Sequence, residues 1–425
     1  MALSTAVFGG INFYNSAYGA PQWSQDLAFF HQWVHSAAAG GPWASPLILE
    51  PQGFFEQVHT HLILPFVVGA YTVVPAQATL IFLHSFFVSL AVWPALRLGS
   101  AVAGGRHAFI VVLAVLVFGP FQSVAIADFR PVGLFIPGIL GVWAAAWKGS
   151  FKGILFWSLI ALFGRQEASY LLASSGMALL FCSWGDAKRT HGSLLIAIGF
   201  VSWLSFTAVK PEMFFHINPL ALPELSSSSE LWDRRTQFGI AMLISGWWLG
   251  VLRPAPLFAA LPVFAGMLMT GREWHALTGP GAHHHAFWIP FVLSAGIAGS
   301  ARLSPRFGAG ILALASGFAF PWASITASEI DYETIDDVIP AKARVAADYD
   351  TIHRVSGRQV LWNIDQLYMS DQPWHWTGDW PLTIDHVDWI ISPNNHAIQK
   401  RIEGWYLVAE TPTHQVHKRV NRRRR

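Results

Sequence analysis

Apolar runs of about 16–20 residues recur along most of this chain, and each is long enough to cross a hydrocarbon layer of roughly 30 Å as a helix. The runs are continuous rather than alternating, which favours helices over the strands of a barrel. Composition agrees, because 53% of the 425 residues are hydrophobic and only 12% are charged, with a mean hydropathy of +0.39. The sequence therefore predicts an all-α polytopic membrane bundle rather than a soluble globule.

These runs predict about eleven transmembrane helices. The predicted spans are 2–18, 78–97, 108–127, 131–148, 153–166, 168–184, 192–209, 237–252, 255–271, 286–303 and 308–325. A shorter apolar stretch, 61–74, follows a first outer loop at 19–60 and is predicted to be a re-entrant or interfacial helix. Residues 1–326 are thus expected to form a transmembrane domain.

Charge placement orients the bundle, because Lys and Arg favour cytoplasmic connections. With the N-terminus in the cytoplasm, Asp186 is the one acidic residue of the inner connections. The basic residues there are Arg97, Arg106, Lys148, Lys152, Lys188, Arg189, Arg253, Arg302 and Arg306. The acidic residues of the outer connections are Asp26, Glu50, Glu56, Asp128, Glu167, Glu212, Glu224, Glu230, Asp233 and Glu273. The pattern predicts a multi-pass protein of the cytoplasmic membrane.

The last hundred residues are mixed and charged, unlike the rest of the chain. Strand-like runs lie at 359–364, 387–391, 404–410 and 416–420, with a turn at 411–413 and a helical stretch at 339–356. Residues 327–425 are therefore expected to form a small soluble α/β domain outside the cytoplasm. The terminal run Arg422–Arg425 is interpreted as a solvated tail, and no nucleic-acid partner is expected.

Asp26 opens the outer face, followed on the same segment by His31 and Gln32. A carboxylate near the lipid head groups can deprotonate an acceptor hydroxyl or hold a divalent cation. The alternative is an interfacial amphipathic helix with ordinary polar residues.

Three further groups of outer residues have two interpretations each. His59 and His61 favour interfacial hydrogen bonding over a shared metal. Asp128 and Arg130 flank a turn before Pro131, which can open the next helix, and they either pair with each other or let Arg130 bind a phosphate.

Arg165-Gln166-Glu167 stands at the outer end of a span, where ionisable groups are costly. The triplet either binds substrate or forms an internal pair, Arg165 with Glu167 or with Asp128. For His283-His284-His285, contact with lipid head groups is preferred to metal binding, because three consecutive histidines do not converge on one ion.

In this order the motifs resemble a prokaryotic membrane family called domain of unknown function 2079. The resemblance rests on Asp-Leu-x-x-Phe-x-Gln from Asp26, the His61 stretch, the Asp-Phe-x-Pro turn, the basic-x-acidic triplet, Pro75, Pro94 and the His-rich entry to Ile289-Pro290-Phe291. It covers most of residues 20–300. The chain departs from the family pattern at three positions: Arg130 replaces a His, Val132 a Glu, and Gln166 the middle Glu of the triplet.

That family is similar in turn to the GT-C glycosyltransferases, which implies inverting sugar transfer from a polyprenyl-phosphate donor at the outer face. The resemblance implies that Asp26 is the catalytic base or a metal ligand. The implied substrate-binding residues are Gln32, His59, His61, Asp128, Arg130, Arg165 and Glu167. Asp26 and Asp128 are the candidate ligands of a divalent cation, Mg²⁺ or Mn²⁺.

Two other functions stay open. One is a non-enzymatic scaffold or assembly subunit that binds a partner protein through residues 327–425. The other is a transporter of a lipid-linked substrate, although transporters place ionisable residues near the middle of interrupted helices. Here the charges cluster at the outer ends of spans, which favours surface chemistry or binding.

Overall fold

The chain is described here from a computed structural model, which splits by its internal contacts into two units. The described residues are 1–18, 24–41, 43, 60–209, 236, 239–269, 280–319, 330–340, 342–348, 351–356, 361–363, 387–394 and 404–420. The first unit comprises Met1–Gly10, His59–Ile63 and Phe82–Ser324, and the second comprises Ile11–Val58, Leu64–Ile81 and Ile325–Arg425. Assignment of 1–326 to the membrane and of 327–425 to the extracytoplasmic space stays a prediction.

Most of the described chain is helical. In chain order the α-helices are α1 (Ala2–Tyr18), α2 (Ser24–Ala38), α3 (Leu64–Val73), α4 (Gln77–Ser89), α5 (Val92–Ala103), α6 (Gly105–Leu116), α7 (Gly119–Ala125), α8 (Phe135–Trp147), α9 (Phe151–Gly164), α10 (Ala168–Phe181), α11 (Arg189–Val209), α12 (Ala255–Met269), α13 (Ile289–Ser300), α14 (Pro305–Ala319) and α15 (Tyr332–Val338). Short 3-10 helices lie at Pro131–Leu134, Trp247–Leu252, Pro280–Phe287 and Ile352–Val355.

The predicted number of spans is not confirmed. Within the described residues, Gln77–Ala103 and Arg189–Val209 are long and apolar enough to cross a membrane. A third candidate is the pair formed by α6 and α7, which are bent by 64° at their break. The span predicted at 108–127 falls on this pair, in which the chain turns at Phe118 and starts a new helix with Pro120 in its first turn. Other apolar helices, such as α8 and α9, are shorter.

Helices of the first unit approach closely where glycines face each other. A Cβ built on Gly176 of α10 would lie 2.6 Å from the carbonyl oxygen of Gly192 in α11, and one on Gly199 would lie 2.6 Å from the carbonyl oxygen of Ser169. Small residues of this kind allow helices to pack without a water-driven hydrophobic effect. The other side of α11 leaves Phe200 and Val201 exposed at 55% and 60%. Such a surface suits contact with lipid.

The second unit contains a five-stranded mixed sheet. Its strands are β1 (Val345–Ala347), β2 (Leu361–Asn363), β3 (Trp389–Pro393), β4 (Trp405–Glu410) and β5 (His414–Arg419), in the order β2-β1-β3-β5-β4. β1 runs parallel to β2 and β3, whereas β5 is antiparallel to β3 and β4. The predicted mixed α/β character near the C-terminus is confirmed.

The expected helix at 339–356 is wrong, because this segment contains β1 and a 3-10 helix. All three residues of β1 are fully buried between two parallel neighbours. A strand covered on both faces shows a continuous apolar run, which periodicity does not distinguish from a buried helical segment. The second unit also holds α2, α3 and α15, and α2 packs against α3 and against Ile352–Val355.

Candidate functional site

His84 is a fully buried histidine of α4 that holds the end of the short helix α7. Its Nε2 donates a 2.7 Å hydrogen bond to the carbonyl oxygen of Val124, and the neighbouring Ser85 hydroxyl donates at 2.9 Å to that of Ala125. The last carbonyls of a helix lack partners inside the helix. The two side chains therefore satisfy acceptors at the point where the chain leaves α7 and enters the turn at 126–130.

The same imidazole holds the backbone of Arg130. Because the carbonyl of Val124 only accepts, Nε2 of a neutral His84 carries the hydrogen and Nδ1 is an acceptor. The backbone N–H of Arg130 lies 3.2 Å from that Nδ1 and donates to it. Next in the turn, Pro131 opens a 3-10 helix leading into α8, as the sequence predicted.

The turn is packed as well as hydrogen-bonded. Phe129 is fully buried, and its ring lies edge-on to His84 at a centroid distance of 6.5 Å. Asp128 is 1% exposed, so the carboxyl group predicted to bind substrate or a cation is buried in the first unit. A Cβ built on Gly133 would lie 2.9 Å from a methyl of Val88 and 3.1 Å from the His84 ring. Only a glycine allows α4 to come this close to the start of the 3-10 helix.

Arg165 and Glu167 form the internal pair that was one of the interpretations of the triplet. Nε of Arg165 donates to Oε2 of Glu167 at 2.7 Å, and Nη2 donates to Oε1, so the contact is bidentate. Both side chains are largely buried, at 15% and 14% exposure. The guanidinium also lies over the ring of Phe287, 5.6 Å from its centroid. Arg165 is therefore oriented by a carboxylate at one edge and an aromatic ring at one face.

The segment at 60–63 lies against the end of α9. The Thr60 N–H donates to the side-chain oxygen of Gln166 at 2.7 Å, and the Ile63 N–H donates to the carbonyl of Phe163 at 3.0 Å. Nδ1 of His61 lies 2.9 Å from the Gly164 carbonyl, to which it donates. His61 and Gln166 are both buried, which agrees with the preference for hydrogen bonding over metal binding at His61. His59 lies outside the described residues.

The turn and the triplet lie next to each other. A Cβ built on Gly164, the residue before Arg165, would lie 2.8 Å from the carbonyl oxygen of Pro131, the residue after Arg130. The ring of Phe287, over which the Arg165 guanidinium lies, also contacts the ring of Phe135 at a centroid distance of 5.2 Å. The first unit thus gathers the segments of Arg130, Arg165 and His61, three of the predicted substrate-binding residues, at one place.

Asp26 belongs to the second unit, where it stands in the first turn of α2. A carboxylate at this position is stabilised by the positive end of the helix dipole. Asp26 is half-buried, and Gln32 on the same helix is 3% exposed. The predicted outer-loop segment around Asp26 is therefore helical, as the amphipathic-helix alternative expected.

A directed chain of hydrogen bonds runs through α2. The Ser356 hydroxyl donates to the His353 carbonyl at 2.7 Å, so its oxygen accepts from Nδ1 of His31 at 2.8 Å. Nε2 of a neutral His31 then accepts from the hydroxyl of Tyr71 at 2.9 Å, and that oxygen accepts from Nδ1 of His35 at 3.3 Å. Burial first, and the nearby His35 second, lower the pKa of His31 to about 3. Burial within this hydrogen-bonded chain therefore keeps the His31 imidazole neutral.

The expected head-group contact of the His283–His285 segment is wrong for His285. This side chain is fully buried, and its Nδ1 accepts a 3.0 Å hydrogen bond from the indole N–H of Trp288. Among the described residues, no three His, Cys, Asp or Glu side chains cluster in a way that would hold a metal ion.

Comparison with solved structures relates this architecture to a known fold. The chain superposes on ArnT from Cupriavidus metallidurans bound to undecaprenyl phosphate with a TM-score of 0.56 at 10% identity, covering 98% of this chain and 97% of that chain. For ArnT in the apo state the TM-score is 0.57 at 11% identity, with the same coverage. The chain has a GT-C-like fold. No protein-family model and no curated protein matches the chain, so the resemblance to domain of unknown function 2079 is not confirmed.

Sequence reasoning missed two residues that contact the segments of Arg130 and Arg165. His84 lies within the predicted span 78–97 and Phe287 within the predicted span 286–303, and neither is among the predicted site residues. A signal existed for His84, since an ionisable residue inside an apolar run is a functional candidate by default. No comparable signal marks Phe287, because its role depends on the contact between its ring and the Arg165 guanidinium.

Proposed function

We propose that this chain is a membrane glycosyltransferase that transfers a sugar from a polyprenyl-phosphate donor to an acceptor at the outer face of the cytoplasmic membrane. The observation that carries the proposal is the GT-C-like fold over 98% of the chain, shared with ArnT, whose structure was solved bound to undecaprenyl phosphate. Fold alone does not define a reaction, so the proposal also relies on the residues gathered in the first unit.

The proposed reaction is an inverting displacement. The acceptor hydroxyl oxygen bonds to the anomeric carbon of the sugar while the bond from that carbon to the phosphate oxygen breaks. Asp26 takes the proton of the acceptor hydroxyl, and polyprenyl phosphate leaves with the electron pair of the broken bond. Positive charge near the leaving phosphate stabilises the transition state, because negative charge grows there as the bond breaks.

Arg130 and Arg165 are the proposed phosphate ligands. A guanidinium has five N–H donors, and the pair with Glu167 uses two of those on Arg165, so the others can meet a phosphate. Arg130 has its backbone held by His84, which limits the positions open to its side chain. Holding both cations before the donor arrives lowers the entropy lost on binding. His59, His61, Asp128 and Gln32 are proposed to complete the substrate-binding surface.

The second unit supports the proposed sidedness. The His31–Ser356 hydrogen bond joins α2, which belongs to the first outer loop, to the 3-10 helix Ile352–Val355 of the tail region. Gln77, the first residue of α4, also donates to the His353 carbonyl at 2.9 Å. Segments that touch must lie on the same side of a membrane. These contacts support placing residues 327–425 on the outer side together with Asp26.

The test uses the full-length protein in proteoliposomes with a membrane extract that supplies lipid-linked sugars. Asp26→Asn keeps the size of the side chain and removes the base, so transfer should fall by about 100-fold or more, the usual scale for a general base. Asp388→Asn is the matched control, since this exposed carboxylate pairs with Arg344 on the sheet. Full transfer activity in Asp26→Asn would refute the role of this residue as base.

Binding of the leaving group is tested separately with undecaprenyl phosphate. Arg165→Gln should weaken its binding at least tenfold, because one charge-assisted contact to phosphate is lost. Arg344→Gln, on the sheet, should bind as wild type does. A wild-type protein that binds undecaprenyl phosphate but transfers no sugar would favour the scaffold alternative. Loss of transfer in EDTA that Mn²⁺ restores would show that the reaction needs a divalent cation, as the metal-ligand alternative for Asp26 expects.

A further inference from the structure

A pocket with mostly apolar walls and two cationic residues lies in the first unit, and neither Arg130 nor Arg165 lines it. It is a cavity of about 220 Å³ between α5, the end of α8 and the start of α9. Among the residues that line it are Trp93, Arg97, Lys148, Ser150, Phe156 and Trp157. None of these residues has a part in the proposed reaction.

The charged part of this pocket is positive. Arg97 comes from α5 and Lys148 directly follows α8, so two chain segments contribute one cation each. Among the residues that the structure describes, neither cation pairs with a carboxylate. Asp186 approaches Gly149 with its carbonyl oxygen and its Cβ, but it is not among the residues that line the pocket. An anion therefore complements the pocket.

The apolar part continues onto a surface that fits acyl chains. The Trp93 and Trp157 rings stand edge-to-face at 6.4 Å, and the Arg97 guanidinium lies 5.8 Å from the centre of the Trp93 ring. Beyond the rings, Phe156 and Leu159 of α9 are exposed at 53% and 49%. Indole rings beside basic side chains are typical of the level where head groups meet acyl chains.

We propose that this pocket binds the phosphate of an anionic phospholipid, with its acyl chains lying along Trp93 and α9. Both cations belong to the connections that the charge pattern places in the cytoplasm, so the lipid would come from the inner leaflet. A free phosphate would use the cations alone. A phospholipid also covers the exposed rings, and for this reason it is the occupant that the pocket fits.

The experiment is native mass spectrometry of the full-length protein in detergent, titrated with phosphatidylglycerol. Arg97→Gln with Lys148→Gln removes both cations, and each loss should weaken the tightest lipid site about fivefold. Lys152→Gln is the matched control, a cation of the same connection that does not line the pocket. Arg97→Gln alone, which should weaken the site about fivefold, serves where the double variant fails to fold.

The expected result is one phosphatidylglycerol bound more tightly to wild type and Lys152→Gln than to the double variant. Wild type should also prefer phosphatidylglycerol to phosphatidylcholine. Equal binding of phosphatidylcholine would overturn the proposal, since only the apolar surface would then matter. Displacement of the lipid by millimolar inorganic phosphate would identify free phosphate as the ligand instead. An equal loss in Lys152→Gln would show a general charge effect and also refute the site.

Discussion

Replacing His84 tests whether one buried histidine supports the turn that carries Arg130. In His84→Ala the N–H of Arg130 loses its acceptor and the carbonyl of Val124 loses a donor at 2.7 Å. Val124 keeps a second contact, because the Ala127 N–H lies 3.2 Å from the same carbonyl oxygen. The loss of the His84 acceptor for the Arg130 N–H is therefore the larger of the two losses.

The expected destabilisation follows from these contacts. A buried N–H without a partner costs about 1–3 kcal/mol, and the weakened contact at Val124 costs less than about 1 kcal/mol. Removal of a fully buried ring adds about 1–2 kcal/mol for lost burial and the cavity left behind. The free energy of unfolding should fall by about 2–6 kcal/mol. Ser85→Ala, which loses one bond to the Ala125 carbonyl, should cost about 1 kcal/mol.

Thermal unfolding in detergent and binding of undecaprenyl phosphate provide two independent measurements. His84→Ala should unfold at a clearly lower temperature and bind the lipid at least tenfold more weakly, because the Arg130 backbone is released. His107→Gln is the matched control, since among the described residues the His107 side chain bonds only to the Ala103 carbonyl of the preceding turn. If His84→Ala costs no more than His107→Gln and binds the lipid normally, the supporting role of His84 is refuted.

Three further predictions concern stability. Burial lowers the pKa of His31 to about 3, so below pH 6.5 the unfolded chain binds a proton at this residue more readily than the folded protein does. The free energy of unfolding should therefore be highest above pH 6.5. It should fall by up to about 1.4 kcal/mol per pH unit as the pH is lowered towards 3. Denaturant unfolding of wild type and His31→Gln at pH 7 and pH 5 measures this, and equal pH slopes would contradict it. The Arg344 side chain lowers the pKa of Asp388, so Asp388→Asn should lower the free energy of unfolding by less than about 1 kcal/mol at pH 7. This difference between the variant and wild type should disappear as the pH falls below about 4 and in high salt. A larger loss of unfolding free energy in Asp388→Asn that does not depend on salt would contradict the interpretation of Arg344–Asp388 as a weak surface ion pair. Gly299→Ala would place a Cβ 2.0 Å from the Leu249 carbonyl oxygen and should destabilise the protein by several kcal/mol. The Cβ of Gly310→Ala would meet nothing within 4 Å, so thermal unfolding should show no change or a gain in stability of up to about 1 kcal/mol.

Local chemistry in the chain was enough to predict many elements. The helices α1, α8 and α11 lie where apolar runs place them, and Pro131 opens a helix as its fixed φ and missing N–H require. The turn at 411–413 separates two strands, as its Thr-Pro-Thr composition indicates. These features depend on near neighbours along the chain, which a sequence displays directly.

Packing between distant residues decided the rest. The break between α6 and α7 and the strand β1 were missed, because a long apolar run looks alike whether it is straight, bent or extended. His84 and Phe287 are distant in sequence from the arginines that they hold. The sequence by itself determined a membrane helical protein with cations at Arg130 and Arg165. Only the tertiary structure decided how those cations are held, since hydrogen bonds and ring contacts depend on where separate helices meet in space.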